Sequence, residues 1–419
     1  MTVTSPVSRS YDPIDISSRA FWSTTAAERE RSFAALRAER PVSWHPPVEE
    51  SMLNDPDDSG FWAITRHADI VAVSRSNEVF LSGRGVMFEN FPAEVLESTQ
   101  SFLAMDPPRH TMLRKLATAA FTPRQVRRIE DAIKASAKTI VEEFRAAGSG
   151  ADFVELCAKQ LPLRTLSEMM GIPESERDSV AHSATALVST NDPVYLGGRN
   201  PLEVMFENVT YLHQLAGKLA AERRDHPGND LFSSLVNAEV DGDRLTDADV
   251  AAYFVLLCVA GNDTTRQTTS HAMRALTDFP EQRAWLLDDF DNRIGTAVEE
   301  FIRFATPVMT FRRTAAVDYQ LGGQTIGAGE KVAMFYASGN RDDAAFDHPE
   351  RFDLSRDPNP HLGFGGGGQH YCLGTHVARA QLRAIFGELL RQLPDIQAGS
   401  PEYLAGNFIH GIRSMPCSF

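Results

Sequence analysis

Cys372 stands beside an unusual amount of bare backbone, in the stretch PNPHLGFGGGGQHYCLGTHVARAQL of residues 358–382. Four glycines, residues 365–368, precede it, and apolar residues at helical spacing follow it. The start of a helix supplies a positive dipole end and free N–H groups, which favour a thiolate. Glycines let the backbone pass close to a flat molecule where a side chain would clash. The pattern therefore favours a cysteine thiolate held against a planar group.

Two other interpretations of the glycine stretch are open. Gly363, Gly365 and Gly368 match the G-x-G-x-x-G nucleotide fingerprint, and Glu388 follows 20 residues after Gly368. The context does not support that match, because no strand precedes the loop and the following helix begins several residues late. The other interpretation is a surface loop beside a buried cysteine. A lone cysteine in these surroundings favours a haem iron held by a thiolate, which promotes O–O cleavage.

Composition excludes several other classes of protein. The four cysteines form no close pair, so neither a disulfide framework nor a four-ligand zinc site is expected. A net charge of −15 argues against nucleic-acid binding. The N-terminus lacks the pattern of a signal peptide, and the longest apolar run, residues 251–260, is shorter than the roughly 20 residues that span a bilayer. We expect a cytoplasmic protein with no membrane span.

The elements that must position Cys372 are mostly helices. Helical spacing and capping signals predict helices over residues 123–147, 201–224, 247–278, 293–305 and from 373 onward. The first of them begins with Thr122 as its cap and Pro123 at its first position. Short strands are predicted at 61–65, 309–317 and 331–336. Without regular strand–helix alternation, the fold class is mainly α with small β-sheets. Length alone suggests two domains.

Three motifs, in order, resemble those of the cytochromes P450, the haem-thiolate monooxygenases. The segment from Phe364 to Gly374 is similar to their haem-binding signature, although Phe364 lies eight residues before Cys372 instead of seven. This chain therefore carries one extra glycine. The segment AGNDTT at residues 260–265 resembles the oxygen-activation motif, and Glu300 with Arg303 resembles the E-x-x-R motif.

The resemblance implies one mainly helical unit with the cytochrome P450 fold over residues 19–419, preceded by a loose arm, residues 1–18. It implies haem b, with Cys372 as the axial ligand, and insertion of one oxygen atom of O2 into a C–H bond. The implied haem contacts are Ala260, Phe364, Gly365 and Gly374, with His110, Arg114, Arg313 and His361 as partners of the propionates.

Asp263 and Thr264 are the implied catalytic pair. Thr264 would hydrogen-bond beside bound O2 over a widened turn of the helix, and Asp263 would relay protons from solvent. The alternative is that the Thr264 hydroxyl simply bonds back to the Ala260 carbonyl. Glu300 and Arg303 are expected to form a structural pair that supports the cysteine loop.

Electrons are expected to come from an external ferredoxin and ferredoxin reductase, because no flavin or iron–sulfur domain is recognised. Residues 107–128 contain six Lys or Arg and no acid, and Arg379 and Arg383 follow the cysteine loop. These cations suggest a docking patch for an acidic ferredoxin, or else a solvated face. A monomer is expected.

A small apolar substrate is expected. The extra loop glycine and the sequence FIHG at residues 408–411 resemble members that hydroxylate a terminal methyl of a methyl-branched lipid or a steroid side chain. The candidate substrate contacts are Met87, Phe88, Leu256, Val259, Val308, Met309 and Phe408. The alternatives are a tailoring hydroxylase for a terpenoid or polyketide, and a haem-thiolate binding or sensor protein without turnover. Asp263 and Thr264 argue against the sensor.

Overall fold

The structure, a computed structural model, describes residues 9–49, 51–53, 55–118, 121, 123–228, 230–240 and 243–419. It is mainly helical with small sheets, as predicted. Its helices are α1 (Arg19–Trp22), α2 (Ala26–Glu39), α3 (His67–Arg75), α4 (Ala93–Gln100), α5 (Arg109–Thr118), α6 (Pro123–Ala147), α7 (Gln160–Met170), α8 (Arg177–Val188), α9 (Pro193–Leu196), α10 (Pro201–Asp225), α11 (Leu231–Val236), α12 (Asp247–Asp278), α13 (Pro280–Asp288), α14 (Phe290–Ala305), α15 (Tyr336–Gly339) and α16 (Thr375–Gln392).

The strands are short. They are β1 (Val42–His45), β2 (Phe61–Ile64), β3 (Phe80–Leu81), β4 (Glu239–Val240), β5 (Asp243–Arg244), β6 (Thr310–Ala315), β7 (Tyr319–Leu321), β8 (Gln324–Ile326), β9 (Lys331–Phe335), β10 (Gln397–Ala398), β11 (Glu402–Tyr403), β12 (Ile412–Ser414) and β13 (Cys417–Ser418). Five of them form one sheet in the order β1-β2-β9-β6-β3, in which β2 and β9 run parallel and the other neighbours antiparallel. The remaining strands form two-stranded ribbons.

The helix α12 is the central element. It begins at the predicted capping box, in which the Thr246 hydroxyl accepts from the Asp249 N–H and the Asp249 carboxylate accepts from the Thr246 N–H, both at 3.1 Å. It packs against α7, α8, α10 and α14, and residues on all its sides are buried along much of its length. Because α12 is buried on all sides, its side chains contact different neighbouring elements on each of its faces.

The predicted helix ends agree with the structure to within about three residues. α14 begins at Phe290 rather than at residue 293, and α16 begins at Thr375 rather than at residue 373. The predicted cap Thr122 lies outside the described residues.

The residues before α1 pack against the five-stranded sheet. The Asp12 N–H donates to the Trp44 carbonyl at 2.8 Å, and Ile16 is fully buried. The described part of the expected arm, from residue 9 to residue 18, is therefore held in place, and its first eight residues lie outside the description. The single domain over residues 19–419 stays a prediction.

Candidate active site

A large cavity, named here the Cys372 cavity, lies between α12 and the loop that ends at Cys372. It encloses about 1650 Å³ not filled by protein atoms, its open mouth included. Ala260 and Thr264 of α12 form one wall, and Gly365 and Gly374 of the loop form the opposite one.

The cysteine loop folds back on itself beside the cavity. The Cys372 N–H donates to the Phe364 carbonyl at 3.0 Å. Gly365 has φ +93°, and a Cβ there would meet no protein atom within 4 Å, so this backbone faces free space in the cavity. Gly368 lies on the side of the loop that packs against α3, and a Cβ there would lie 2.4 Å from the carbonyl oxygen of Ser74.

The Cys372 side chain borders the cavity, and its surface is exposed to that space. Burial raises the pKa of the Cys372 thiol, whereas the Gly374 N–H and the charges of Arg114 and Arg379 favour the thiolate. Sequence reasoning expected N–H groups at the start of the helix to favour the thiolate, and the two guanidinium charges add to that effect.

Two guanidinium groups, those of Arg114 and Arg313, border the same cavity. Burial lowers the pKa of each, and within the described residues neither forms an ion pair with a carboxylate. Arg114 donates to the Tyr371 carbonyl, and Arg313 donates to the Arg312 carbonyl at 2.7 Å. Buried cations without an anionic partner are costly, so this wall is suited to bind an anion.

His110 and His361 occupy different positions. His110 is buried next to His370, with ring centroids 4.3 Å apart, and neither of its ring nitrogens has a hydrogen-bond partner among the described residues. Burial, then Arg114 and Arg313, lower the pKa of His110 to about 4. His361 instead contacts the Glu299 carboxylate at 3.0 Å.

Glu299 joins the cysteine loop to α16. Its carboxylate accepts from His361 on one side and from Arg379 on the other, at 2.6 and 2.8 Å. Burial alone would raise the pKa of Glu299, but the hydrogen bonds from Arg379 and His361 hold it at about 2. Sequence reasoning missed this bridge, because its members are 62 and 80 residues apart.

Glu300 and Arg303 form a fully buried bidentate pair, with both N···O distances at 2.7 Å. The Arg303 guanidinium also donates to the carbonyls of Asn340, Pro349 and Arg351 at 2.8–2.9 Å. Neither side chain borders the Cys372 cavity. The pair joins α14 to the chain that leads into the cysteine loop.

Thr264 faces the cavity and Asp263 faces away from it. The Thr264 hydroxyl donates to the Ala260 carbonyl at 2.9 Å, which is the alternative that the sequence left open, and α12 is helical throughout without the expected widened turn. Asp263 is fully buried, forms an ion pair with Arg266, and accepts from the Thr185 hydroxyl at 3.2 Å. Burial raises the pKa of Asp263, and Arg266 opposes that shift.

The candidate substrate contacts separate into three groups. Leu256 and Val308 border the Cys372 cavity. Val259 does not border it and packs against the apolar cluster that contains Leu256. Phe88 and Met309 lie in another cluster, with Phe61 and Phe335, and neither borders the Cys372 cavity. Met87 and Phe408 border a smaller cavity. Phe311 was missed by sequence reasoning and borders the Cys372 cavity.

Comparison with known proteins shows what this architecture belongs to. The family model described as Cytochrome P450 matches residues 178–394. A methyl-branched lipid omega-hydroxylase of Mycobacterium tuberculosis is 40% identical over 409 residues, covering 97% of this chain and 94% of that protein. The chain belongs to the cytochrome P450 family.

Two further relatives of this cytochrome P450 are informative. A steroid C26-monooxygenase of Mycolicibacterium smegmatis is 37% identical, covering 91% of this chain and 88% of that protein. The solved structure of a Mycobacterium marinum cytochrome P450 in complex with pseudoionone is 74% identical, with a TM-score of 0.97, covering 99% of this chain and all of that one. The protein is a cytochrome P450 monooxygenase, and the family implies a haem-thiolate cofactor and external redox partners.

The residues of this cytochrome P450 fit a haem. Cys372 offers a sulfur donor, the bare backbone at Gly365 leaves space for a flat ring, and Arg114 and Arg313 offer donors for two carboxylates. His110 does not border the cavity itself but lies against His370, which does. Among the described residues, none of the helices has the length and apolar character needed to cross a membrane. The cytoplasmic location and the monomeric state stay predictions.

Proposed function

We propose that this cytochrome P450 hydroxylates a terminal methyl group of a branched apolar chain, either a methyl-branched lipid or a steroid side chain. The observation that carries the proposal is the large, mainly apolar Cys372 cavity in a chain 40% identical to a methyl-branched lipid omega-hydroxylase and 37% identical to a steroid C26-monooxygenase. Each buried CH2 of a long chain contributes about 0.8 kcal/mol, so such substrates bind without a charged anchor.

Cys372 is the proposed axial ligand of haem b. When bound, haem with a thiolate ligand supplies activation of O2 for insertion of one oxygen atom into a C–H bond. Phe364, Gly365 and Gly374 would border the ring on the cysteine side and Ala260 on the other. Arg114, Arg313 and His110 would hold the propionates.

His361 has a different proposed role from the one its motif implied. Its ring contacts Glu299, so it would support the cysteine loop through that carboxylate. His361 could contact a propionate directly only if its ring gave up the hydrogen bond to Glu299.

Thr264 and Asp263 are the proposed proton-handling residues. The Thr264 hydroxyl faces the cavity and exchanges its bond to Ala260 for one to a ligand. Asp263 stands between Arg266 and Thr185, at the boundary between α12 and α8, and moves protons from that side of α12. The proposed electron donors are a ferredoxin and its reductase, supported by exposed Lys115, Arg127 and Arg383.

The test of cysteine ligation is spectroscopic. Purified protein should contain haem b, and its reduced CO complex should show the red-shifted Soret band that a thiolate ligand produces. Cys372→Ser should lose that band, while Cys417→Ser, a buried cysteine elsewhere, should keep it. A thiolate-type CO spectrum in Cys372→Ser would contradict the assignment of Cys372 as the haem ligand.

The test of the reaction is binding followed by product analysis. A branched fatty acid, a cholestenone-type sterol, pseudoionone and a macrolide are titrated for a low-to-high-spin shift, and turnover with a ferredoxin system is analysed by mass spectrometry. We expect a primary alcohol as the first product from the lipid or the sterol. Tight binding of a compact macrolide, with no shift from any branched chain, would leave only the monooxygenase assignment.

A further inference from the structure

A groove, named here the Arg29 groove, lies between α2, the last two turns of α12 and the segment that follows α14. It encloses about 2230 Å³ not filled by protein atoms, its open mouth included. Small side chains of α2, which are Ala27, Ala34 and Ala38, form one of its walls. Among the residues that the structure describes, it shares none of its borders with the Cys372 cavity.

The segment that follows α14 separates the two spaces. Thr306 and Met309 border the Arg29 groove, whereas Pro307 and Val308 border the Cys372 cavity. The groove is therefore outside the site described above, and the proposed reaction does not use it.

Arg29 places a guanidinium group in the groove although the residue is only 8% exposed. One of its terminal nitrogens donates to the Thr24 carbonyl, and the other lies 4.0 Å from the Met309 sulfur, a weak acceptor. The neighbouring Glu28 carboxylate is engaged in the cap of α2, where it accepts from Thr25. A buried cation without an anionic partner is costly, so Arg29 is suited to bind an anion from outside the protein.

Five acidic residues also border the groove, which are Glu30, Asp278, Asp342, Asp343 and Glu350. Two of them form ion pairs, Glu30 with Arg37 and Asp278 with Arg274. The Asp342 carboxylate accepts from two backbone N–H groups at 2.8 and 3.0 Å, and the last two acids are exposed to solvent. Within the described part of the chain, none of the five forms an ion pair with Arg29.

Arg66 and Arg341 extend the positive charge along the groove. Arg66 donates to the Arg37 carbonyl at 2.8 Å, and Arg341 donates to the Pro349 carbonyl at 2.9 Å. Neither pairs with a carboxylate of the described residues. Such charges attract an anion to the groove, and Arg29 is the most buried of the three cations.

His271 and His410 border the groove as neutral rings, stacked with centroids 4.0 Å apart. One ring nitrogen of His271 contacts the His410 carbonyl at 3.0 Å, and one of His410 contacts the Ala305 carbonyl at 2.7 Å. A carbonyl only accepts, so each ring donates with that nitrogen. Burial, with Arg29 adding to the shift, lowers the pKa of His271 to about 4, and the pKa of His410 is also lowered. The positive charge at these rings therefore comes from the guanidinium.

The rest of the groove offers apolar and aromatic surface. Tyr403 is 50% exposed, and its ring is nearly parallel to that of His410, with an interplanar angle of 6° and centroids 6.4 Å apart. Phe33 and Phe304 border the same space, beside the alanines of α2. Such surface suits a ligand with a flat apolar body and disfavours a small inorganic ion, which would gain nothing from it.

We propose that the Arg29 groove binds an organic carboxylate with a flat apolar body, and that Arg29 holds its carboxylate group. The planar guanidinium fork fits the two oxygens of a carboxylate. The apolar body lies along the alanines of α2 and the ring of Tyr403. This site is independent of the proposed reaction, so either can fail without the other.

The experiment uses holoenzyme whose Cys372 cavity is filled by a bulky azole that ligates the haem iron. Four probes are titrated by isothermal calorimetry, which are naphthoate, the uncharged naphthylmethanol, acetate and inorganic phosphate. Naphthoate should bind most tightly, because naphthylmethanol lacks the charge and the other two lack the apolar body. Arg29→Met should weaken naphthoate by about ten- to a hundredfold, as expected for loss of hydrogen bonds to a charged group, and leave naphthylmethanol unchanged.

Three further variants locate the site. Arg29→Lys keeps the charge without the planar fork, so its affinity for naphthoate should lie between those of wild type and Arg29→Met. Ala34→Glu adds a competing carboxylate at an exposed position of the groove, so it should also weaken naphthoate. Arg31→Met is the control, because it removes an exposed cation of α2 that does not border the groove, and it should bind as wild type does.

The inference is overturned if naphthoate does not bind wild type, or if its affinity is unchanged in Arg29→Met and Ala34→Glu. Equal binding of naphthylmethanol, or tighter binding of phosphate, would also overturn it. Thermal unfolding and the CO spectrum of each variant are compared with wild type. If Arg29→Met is unstable, Arg29→Lys and Ala34→Glu decide the outcome.

Discussion

Thr264 and Asp263 are neighbours in the chain, yet they face different sides of α12. A helix turns by roughly 100° per residue, so adjacent residues open onto different environments. Thr264 faces the cavity and Asp263 faces α8, where Arg266 and Thr185 satisfy its carboxylate. The pair can therefore connect the cavity with the far side of the helix.

Substitution of Thr264 and Asp263 should have different effects. Thr264→Ala should keep haem and substrate binding but divert reducing equivalents to hydrogen peroxide, because the hydroxyl that faces the cavity is lost. Asp263→Asn should slow turnover by about 10²-fold, the lower end of the usual contribution of a general acid or base. The measurements are NADPH consumption, peroxide release and product formation.

The matched control is Thr268→Val, which changes another hydroxyl that borders the cavity one helical turn later. It should stay close to wild type in coupling. Wild-type rate and coupling in both Thr264→Ala and Asp263→Asn would contradict the proposed relay.

At the residue scale, contacts between near neighbours in the chain are recognisable from sequence. The Glu300–Arg303 pair and the Thr264–Ala260 hydrogen bond join residues three and four positions apart, whereas the roles of Cys372 and Thr264 stay predictions. The Glu299 bridge was not recognisable, because it depends on segments that only tertiary packing brings together. Phe88 and Met309 have the apolar character of substrate contacts, but core packing uses the same residue types.

At the scale of elements, the cysteine loop is held from α14. Arg303→Lys should destabilise the protein by about 3–5 kcal/mol, the usual cost of breaking a buried ion pair, because lysine cannot satisfy Glu300 and three backbone carbonyls together. Haem content should fall with it. The measurements are denaturant unfolding and the haem-to-protein ratio.

Arg274→Lys is the control, since Arg274 pairs with Asp278 at a partly exposed position and such pairs contribute about 1 kcal/mol or less. Full haem content and unchanged unfolding in Arg303→Lys would show that the loop does not depend on this pair.

The Glu299 bridge predicts a pH-dependent contribution to stability. Its pKa is about 2 in the folded protein against an ordinary value of 4.5, so the folded state favours the ionised form. The stabilisation is complete above about pH 4.5 and is lost as the pH falls toward 2. Glu299→Gln should therefore be less stable than wild type at neutral pH, and the difference should shrink across that window.

The measurement for Glu299 is the free energy of unfolding in urea at a series of pH values. Glu388→Gln serves as the comparison, because that carboxylate pairs with Arg391 within α16 and outside the loop. A gap between Glu299→Gln and wild type that stays constant from neutral pH to pH 2.5 would contradict the bridge, because the wild-type contribution must decline as Glu299 becomes protonated.

The limits of helices were predictable because caps, prolines and glycines act within a few residues of each end. The order of the sheet was not, because β2 pairs with β9 across most of the chain. The regular helical turn of α12 at Thr264 could not be predicted either. The sequence is consistent both with a Thr264 hydroxyl bonded to the Ala260 carbonyl and with one released over a widened turn.

At the scale of the whole molecule, positive charge on the cysteine side contrasts with a net charge of −15. α6 packs along α16, the helix that follows Cys372, and Arg127 and Arg383 are exposed on these two helices. Two cations of the predicted ferredoxin-docking patch are already neutralised by carboxylates within the protein. Arg109 pairs with Glu97 and Asp249, and Arg379 pairs with Glu299, so fewer cations are left to attract a partner.

Reversing charge at Arg127 and Arg383 should weaken ferredoxin-supported turnover by about tenfold, while peroxide-driven turnover is spared, because only the former requires docking. Arg31→Glu, on α2, is the control for a change in net charge. Wild-type turnover should also fall as salt rises, since exposed charges are screened over roughly 8 Å at physiological ionic strength. Turnover independent of salt would count against the patch.

The contact between the glycine loop and α3 has a consequence for related sequences. A Cβ at Gly366 would lie 2.5 Å from the Ser74 hydroxyl, and one at Gly368 would lie 2.4 Å from the Ser74 carbonyl. The glycine loop therefore lies tight against Ser74 of α3, with no room there for a larger side chain. Position 74 and the length of the loop should covary among relatives, so that chains with the longer loop keep a small residue there and chains with the shorter loop tolerate a larger one.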